Sequence, residues 1–127
     1  MTRGGLARAL VVAGAMLLST AAGAQQPPNC VVPTFQTADN QTVRGTMTVR
    51  SGKTCLITMG LSVAGFADAQ IVNAPRRGTA QIQGYKVAYT AAKGYTGPDQ
   101  FTYSRYNLDQ WGGRSFRGVA VQVTVIP

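Results

Sequence analysis

The sequence contains no histidine and no glutamate, and four aspartates are its only acidic residues. The absence of histidine excludes Ser-His-Asp and Cys-His catalytic arrangements and removes the commonest metal ligand. Scattered aspartates also suit neither a two-carboxylate hydrolase nor the six to eight oxygen ligands of a Ca²⁺ site. These aspartates are Asp39, Asp68, Asp99 and Asp109. We therefore expect a protein that is not an enzyme and that holds no metal or cofactor.

A helical pattern is also missing beyond the N-terminus. Apolar residues instead recur with period two, and Gly, Pro, Asn and Asp interrupt them about every eight to twelve residues, which is typical of an antiparallel sandwich or barrel. The predicted strands are residues 31–37, 42–50, 54–59, 70–73, 79–83, 85–90, 100–106 and 117–126. The stretch 60–69 is ambiguous between a loop and a short helical turn. An all-β fold with two packed sheets is the simplest arrangement of these strands.

The N-terminus has the three parts of a secretory signal peptide. Arg3 and Arg8 give a basic start, residues 9–18 are an apolar run, and Ala22-Gly23-Ala24 has the small-x-small pattern of a cleavage site. The alternative is an uncleaved anchor, although such a run is too short to span about 30 Å of hydrocarbon as a helix.

These features predict an exported protein, periplasmic or extracellular, with no transmembrane segment in the mature chain. The predicted division is a signal peptide at 1–24, an extended lead-in at 25–30 and one sandwich domain at 31–127.

Cys30 and Cys55 are the only cysteines. An even number in an exported chain favours one disulfide, which would close a loop of about 26 residues and stabilise the fold by about 3.5 kcal/mol. The alternative is a redox pair, which usually needs a Cys-x-x-Cys motif or an activating neighbour. We expect the structural disulfide, joining the N-terminal strand to a neighbouring strand.

The second half of the chain carries an ordered set of motifs. Pro75 and Gly78-Thr79 come first, then Tyr89-Thr90, then the segment YTGPDQFTY at 95–103, and then a closing Val-x-Val strand. This order resembles the Ig-like, cadherin-like repeats of exported and cell-surface bacterial proteins, over roughly residues 43–127. The resemblance implies an antiparallel Ig-like (cadherin-like) sandwich of about seven or eight strands. It also implies a role in protein interaction or adhesion at the bacterial envelope.

Three residues of these motifs are expected to form turns. Gly78 ends a turn at 74–78 that permits a positive backbone dihedral, and Gly97 allows a dihedral that a β-carbon would forbid. Asp99 is expected to accept hydrogen bonds from backbone N–H groups in the turn that it follows. The alternative role for Asp99 is that of a metal ligand.

The remaining functional signal is the positive charge. The formal net charge is +8, and loss of Arg3 and Arg8 with the signal would reduce it by two, to +6. Arginines occur in two groups, one on the 74–78 turn and one beside an aromatic-rich turn, and such groups can hold phosphate, sulfate or aromatic rings. The first group is Arg76 and Arg77, and the second is Arg105, Arg114 and Arg117 together with Trp111.

Two hypotheses about function follow. The protein either binds an unidentified protein partner through a sheet edge or loops, or binds anionic envelope or extracellular polymers through its arginines. The first strand, which contains Pro33, and the closing strand are the expected edges. The plain alternative is that the charges only solvate the surface while Trp111 caps the core.

Overall fold

The structure, a computed structural model, describes residues 28–60 and 65–127, and the predicted signal peptide lies outside them. It is all-β, without an α-helix in the described residues. The strands are Cys30–Val31 (β1), Gln41–Arg50 (β2), Thr54–Thr58 (β3), Phe66–Asn73 (β4), Gly78–Gln83 (β5), Lys86–Ala91 (β6), Gly97–Leu108 (β7) and Arg114–Ile126 (β8). Within this part of the chain, no helix is long and apolar enough to cross a membrane.

The strands form two sheets, as expected of a β-sandwich. One sheet has the order β1-β2-β8-β7-β4 and the other has the order β3-β6-β5. Neighbours are antiparallel except for β2 and β8, which run parallel from the pair Gln41–Arg117 to the pair Arg50–Ile126. The long β7–β8 hairpin pairs Gly97 with Val125 at one end and Leu108 with Arg114 at the other.

Alternating side chains of the two sheets form one core. The predicted inward faces of β2 and β8 are confirmed, since Met47, Val49 and the alternate valines of β8 are buried. The rings of Tyr89 on β6 and Phe101 on β7 stack with their centroids 5.4 Å apart, which joins the two sheets at the centre. Such stacking adds to the hydrophobic free energy gained by burying both rings.

Cys30 and Cys55 form a disulfide, with their Cα atoms 5.5 Å apart. Cys30 belongs to β1 of the larger sheet and Cys55 to β3 of the smaller sheet. The predicted cysteine pair is therefore confirmed, and it links the edges of the two sheets.

The structure corrects the limits of several predicted strands and the predicted position of the closing strand. The first strand is β1, only two residues long, because residues 32–38 leave the sheet after Val31. The ambiguous region yields the first part of β4, which starts at Phe66 and has irregular pairing with β7. The closing strand β8 is not an edge, because β2 and β7 flank it on both sides. The edges are β1 and β4 in one sheet and β3 and β5 in the other.

Candidate functional site

Three turns that are distant in the sequence meet at one end of the sandwich. The Ser51 hydroxyl accepts a hydrogen bond from Gly94 N–H (2.9 Å) and donates one to the Ala92 carbonyl oxygen (3.2 Å). Ala92 N–H in turn donates to the Arg77 carbonyl oxygen at 2.9 Å. These bonds fix the turns at 51–53, 74–78 and 92–95 against one another.

This end of the molecule, hereafter the basic end, carries four exposed cationic side chains: Lys53, Arg76, Arg77 and Lys93. None of the four forms an ion pair with any described residue. The Arg77 guanidinium lies over the Tyr95 ring, 5.2 Å from its centroid, which holds it in place while leaving its N–H groups available. The basic end is thus a patch of exposed cationic side chains without ion pairs among the described residues, and the buried Asp99 carboxylate lies against its 74–78 turn.

A polar groove of about 900 Å³ opens beside this patch on the outer face of the larger sheet. Arg76, Arg77 and Tyr95 line one side of it. The floor includes Gln100 and Gln122, whose side-chain amides hydrogen-bond to each other at 3.0 Å. The groove therefore extends the cationic patch with neutral hydrogen-bonding groups, and the Asp99 carboxylate, which also lines it, already accepts hydrogen bonds from its protein neighbours.

Asp99 holds the arginine turn in position. Its carboxylate accepts hydrogen bonds from the backbone N–H groups of Arg76 and Arg77, both at 3.0 Å, and from the Tyr89 hydroxyl at 2.7 Å. It also accepts one from Gln100 N–H at 2.9 Å. Asp99 does accept hydrogen bonds from backbone N–H groups. These groups belong to the 74–78 turn, whereas the sequence predicted those of the turn just before Asp99.

The two predicted turn glycines are required for different reasons. Gly97 has a φ of 128°, which confirms the expected positive dihedral. Gly78 does not have a positive φ, contrary to expectation. It is instead needed for space, because a β-carbon there would lie against the Thr90 carbonyl oxygen and 2.9 Å from the Tyr89 Oη.

The second predicted arginine group lies at the opposite end of the β7–β8 hairpin. Asp99 and Leu108 are nine positions apart on β7, which corresponds to about 30 Å of extended strand. Arg114 forms an ion pair with Asp68, and Arg117 forms one with Asp39 at 2.6 Å. Arg117 also donates to the Thr37 hydroxyl at 2.9 Å. These arginines are partly neutralised, and they fasten β4 and the 37–39 segment to the hairpin.

Trp111 and Arg105 also differ from expectation. Trp111 is 83% exposed at the tip of the β7–β8 hairpin, so it does not cap the core. Arg105 is only 8% exposed, on the inward face of β7 with Phe101 and Tyr103. The sequence contained the signal for this burial, because Arg105 has the same parity along the strand as the two core aromatics. The structure therefore divides the second group into two surface anchors, an exposed tryptophan and a buried cation.

Lys53 and Lys93 were missed as members of the cationic patch. The sequence placed Lys53 in a hairpin turn and Lys93 in a loop, 40 positions apart. Nothing local to either lysine indicates proximity, since their turns meet through tertiary contacts: the Ser51 hydrogen bonds and the bond from Ala91 N–H to the Lys53 carbonyl oxygen at 3.1 Å. Among the described residues, no three Cys or Asp side chains cluster as metal ligands.

No protein-family model matches the chain, and no curated protein matches it. The resemblance to Ig-like, cadherin-like repeats stays a prediction from the order of motifs in the sequence.

Two buried tyrosines make the fold sensitive to alkaline pH. Burial, together with the hydrogen bond to Asp99 and its charge, raises the pKa of Tyr89 well above the usual value, and burial raises the pKa of Tyr103 to about 12. The unfolded chain, with tyrosine pKa values of about 10, releases these protons first. Stability is therefore complete below pH 10 and falls as pH rises toward 12.

We expect the free energy of unfolding to fall by about 2 to 3 kcal/mol between pH 8 and pH 11, because each tyrosine contributes about 1.4 kcal/mol per pH unit of difference. Urea unfolding followed by circular dichroism at both pH values measures this loss. In Tyr103→Phe this fall in the free energy of unfolding should be roughly half as large. The same fall as in the unmodified protein would contradict the role given to Tyr103.

Proposed function

We propose that this protein is an exported, non-catalytic Ig-like module that binds an anionic polymer of the bacterial envelope or its surroundings through the basic end. The observation that carries the proposal is the meeting of three turns that place Lys53, Arg76, Arg77 and Lys93 together without an ion pair among the described residues. Such charge favours association with polyanions.

The strand order supports the Ig-like part of the proposal. In an immunoglobulin domain, strands B, E and D lie in one sheet and strands C, F and G in the other. If β3 to β8 are named B to G in order, the smaller sheet is B-E-D and the larger sheet contains G-F-C. Here β2 takes the place of a first strand that pairs with G instead of B. The predicted signal peptide at 1–24 supports export.

Arginine chemistry favours sulfate, phosphate or carboxylate groups as the contacts. A guanidinium presents paired N–H donors that match the oxygens of these groups, and stacking on Tyr95 orients Arg77 before binding. The groove beside it continues for several residues along β7 and β8. A repeating anionic chain could therefore contact the patch and the Gln100–Gln122 pair at once.

Heparin or lipopolysaccharide chromatography of the exported protein across a salt gradient tests the proposal. If four cations contact the polymer, affinity should fall about tenfold for each doubling of salt. Arg76→Ser/Arg77→Ser should elute at much lower salt than the unmodified protein. Arg114→Ser/Arg117→Ser is the matched control, since it removes the same charge from the opposite end, and it should elute close to the unmodified protein.

Two results would contradict this. Flow-through of the unmodified protein at physiological salt would show that the basic end does not bind polyanions. An equal shift in both double variants would mean that net charge alone causes retention. Circular dichroism of each variant checks that the fold is retained.

A protein partner is the second candidate function, and one observation favours it. Trp111 stands exposed at a hairpin tip ordered by Asp109, whose carboxylate accepts hydrogen bonds from Trp111 N–H at 2.9 Å and Gly113 N–H at 2.6 Å. Tryptophans in such positions often dominate protein interfaces. The edges β3 and β5 offer strand addition as another route. Binding of this kind would resist salt, unlike polyanion binding.

A further inference from the structure

A second cavity lies between the sheets, far from the basic end. It has a volume of about 280 Å³ and opens between β3, the 32–37 segment and the later part of β7. Phe35, Ile57 and Met59 form much of its apolar wall, while Tyr103 and Arg105 contribute polar groups. Thr34, Thr37 and Thr58 add further polar groups, so the lining suits a small ligand with both an apolar and a polar part.

The cavity contains a buried positive charge without a counter-ion. Arg105 is 8% exposed, and burial lowers its pKa, yet an arginine stays charged at neutral pH. Among the described residues its hydrogen-bond partner is Asn107, whose Oδ1 accepts from Nε at 3.1 Å. No carboxylate pairs with it there. Ser104 Oγ is the one fully buried side-chain oxygen or nitrogen atom without a partner in the described residues, so the terminal N–H groups of Arg105 reach the open cavity and are available there.

Tyr103 adds a second donor to the same cavity. It lies two residues before Arg105 on the same face of β7, and its hydroxyl has no hydrogen bond to any described residue. Because burial raises the pKa of Tyr103 to about 12, this hydroxyl keeps its proton at physiological pH. One guanidinium and one phenol therefore line the cavity with free donors, and together they match the two oxygens of a carboxylate.

The wall over this cavity is held at both ends. The Cys30–Cys55 disulfide fixes the chain just before it, and Arg117 binds Thr37 just after it. Between them, Phe35 packs directly on β2, where a β-carbon on Gly45 would lie 2.8 Å from its ring. The cavity is thus a built feature with a fixed covering segment, and it does not depend on the proposed polyanion site.

We propose that this cavity binds a small organic monoanion, a carboxylate with an apolar body, whose carboxylate is held by Arg105 and Tyr103. The single positive charge balances a monoanion, and the apolar wall accepts a hydrocarbon or aromatic group. Since a water molecule takes up about 30 Å³ of the liquid, the volume corresponds to a ligand of about nine or ten non-hydrogen atoms. Benzoate has this size and chemistry.

Calorimetric titration of the exported protein with benzoate is the first experiment, with benzamide as the neutral ligand of the same shape. Benzoate should bind, and benzamide should bind at least tenfold more weakly, because it lacks the charge. Tyr103→Phe should weaken benzoate binding severalfold without loss of the fold. Arg76→Gln, at the basic end, should leave it unchanged.

Arg105→Met separates a binding role from a structural one. If Arg105 is retained for a ligand, this variant should bind benzoate at least tenfold more weakly, while its Tm without ligand should rise by about 4 °C or more. A lower Tm would mean that the buried arginine supports the fold. Equal binding of benzoate and benzamide, or no binding of benzoate at millimolar concentration, would overturn the proposal.

Discussion

Replacing Asp99 by alanine is expected to lower the free energy of unfolding by about 3 to 5 kcal/mol, an unusually large effect for a single polar residue. Asp99 is 8% exposed, and its carboxylate accepts hydrogen bonds from Arg76, Arg77 and Tyr89. Alanine would leave two backbone N–H groups and a buried hydroxyl without an acceptor. Each such group would lose its hydrogen bonds to water on folding without gaining a hydrogen bond in the protein.

Urea unfolding of Asp99→Ala and Asp99→Asn measures the effect. Asparagine keeps one oxygen but places an NH2 group against one of the two sets of donors, so we expect a loss of about 1 to 3 kcal/mol. Asp109→Ala is the matched control, because Asp109 also accepts backbone N–H groups but lies exposed in its turn. Asp109→Ala should lower the free energy of unfolding by about 1 kcal/mol or less. A loss below 1 kcal/mol for Asp99→Ala would disprove the structural role.

Asp99 also connects the core to the proposed polymer site. Tyr89 stacks on Phe101 between the sheets, and its hydroxyl reaches the same carboxylate that fixes the Arg76–Arg77 turn. The arginine turn is therefore anchored to the rigid centre of the sandwich. Anchoring reduces the conformational entropy lost when guanidinium groups bind a polymer.

The alternation of apolar residues was enough to predict most of the strands and their inward faces. Side-chain direction in a strand depends only on parity, so Met47, Phe101 and Val121 could be placed in the core without any knowledge of pairing. The cysteine pair could be predicted for a similar reason, since two cysteines in an exported chain leave one possible bridge.

Strand pairing could not be predicted in this way. The position of β8 at the centre of its sheet depends on parallel pairing with β2, about 75 residues earlier in the chain, and no local pattern specifies such a partner. Asp99 shows the same limit on a smaller scale. Its side chain was expected to accept backbone N–H groups, but the groups belong to a turn 22 and 23 residues earlier.

The residues of the two candidate sites could be predicted from the sequence to different degrees. Arg76 and Arg77 are adjacent in the sequence and sit on a recognisable turn, whereas Lys53 and Lys93 join them only through tertiary contacts. Arg105 was grouped with surface arginines because of its neighbours in the sequence. Arg105 alternates along β7 in step with Phe101 and Tyr103, so its side chain points into the core. A charged residue at such an inward-facing position indicates a functional site.

The disulfide is the second feature with a large expected effect. Replacing Cys30 and Cys55 by alanine should lower the free energy of unfolding by about 3.5 kcal/mol, chiefly because the unfolded chain regains the freedom of a loop of about 26 residues. The bridge also holds β1, which is two residues long and pairs with Val49 and Thr48 of β2. Without the bridge, little else holds this edge to the smaller sheet.

Urea unfolding of the double variant and of the reduced, unmodified protein should give similar losses, since reduction removes the bond without removing atoms. Thiol titration should find no free thiol in the purified, unreduced protein and two after reduction. Because the bridge lowers the entropy of the unfolded chain, amides of β8 that exchange only through global unfolding should also exchange roughly a few hundredfold faster without it. Unchanged exchange in β8, with faster exchange confined to residues 30–37, would show that the bridge stabilises only the edge. Free thiols in the protein purified without reductant would show that the bridge does not form.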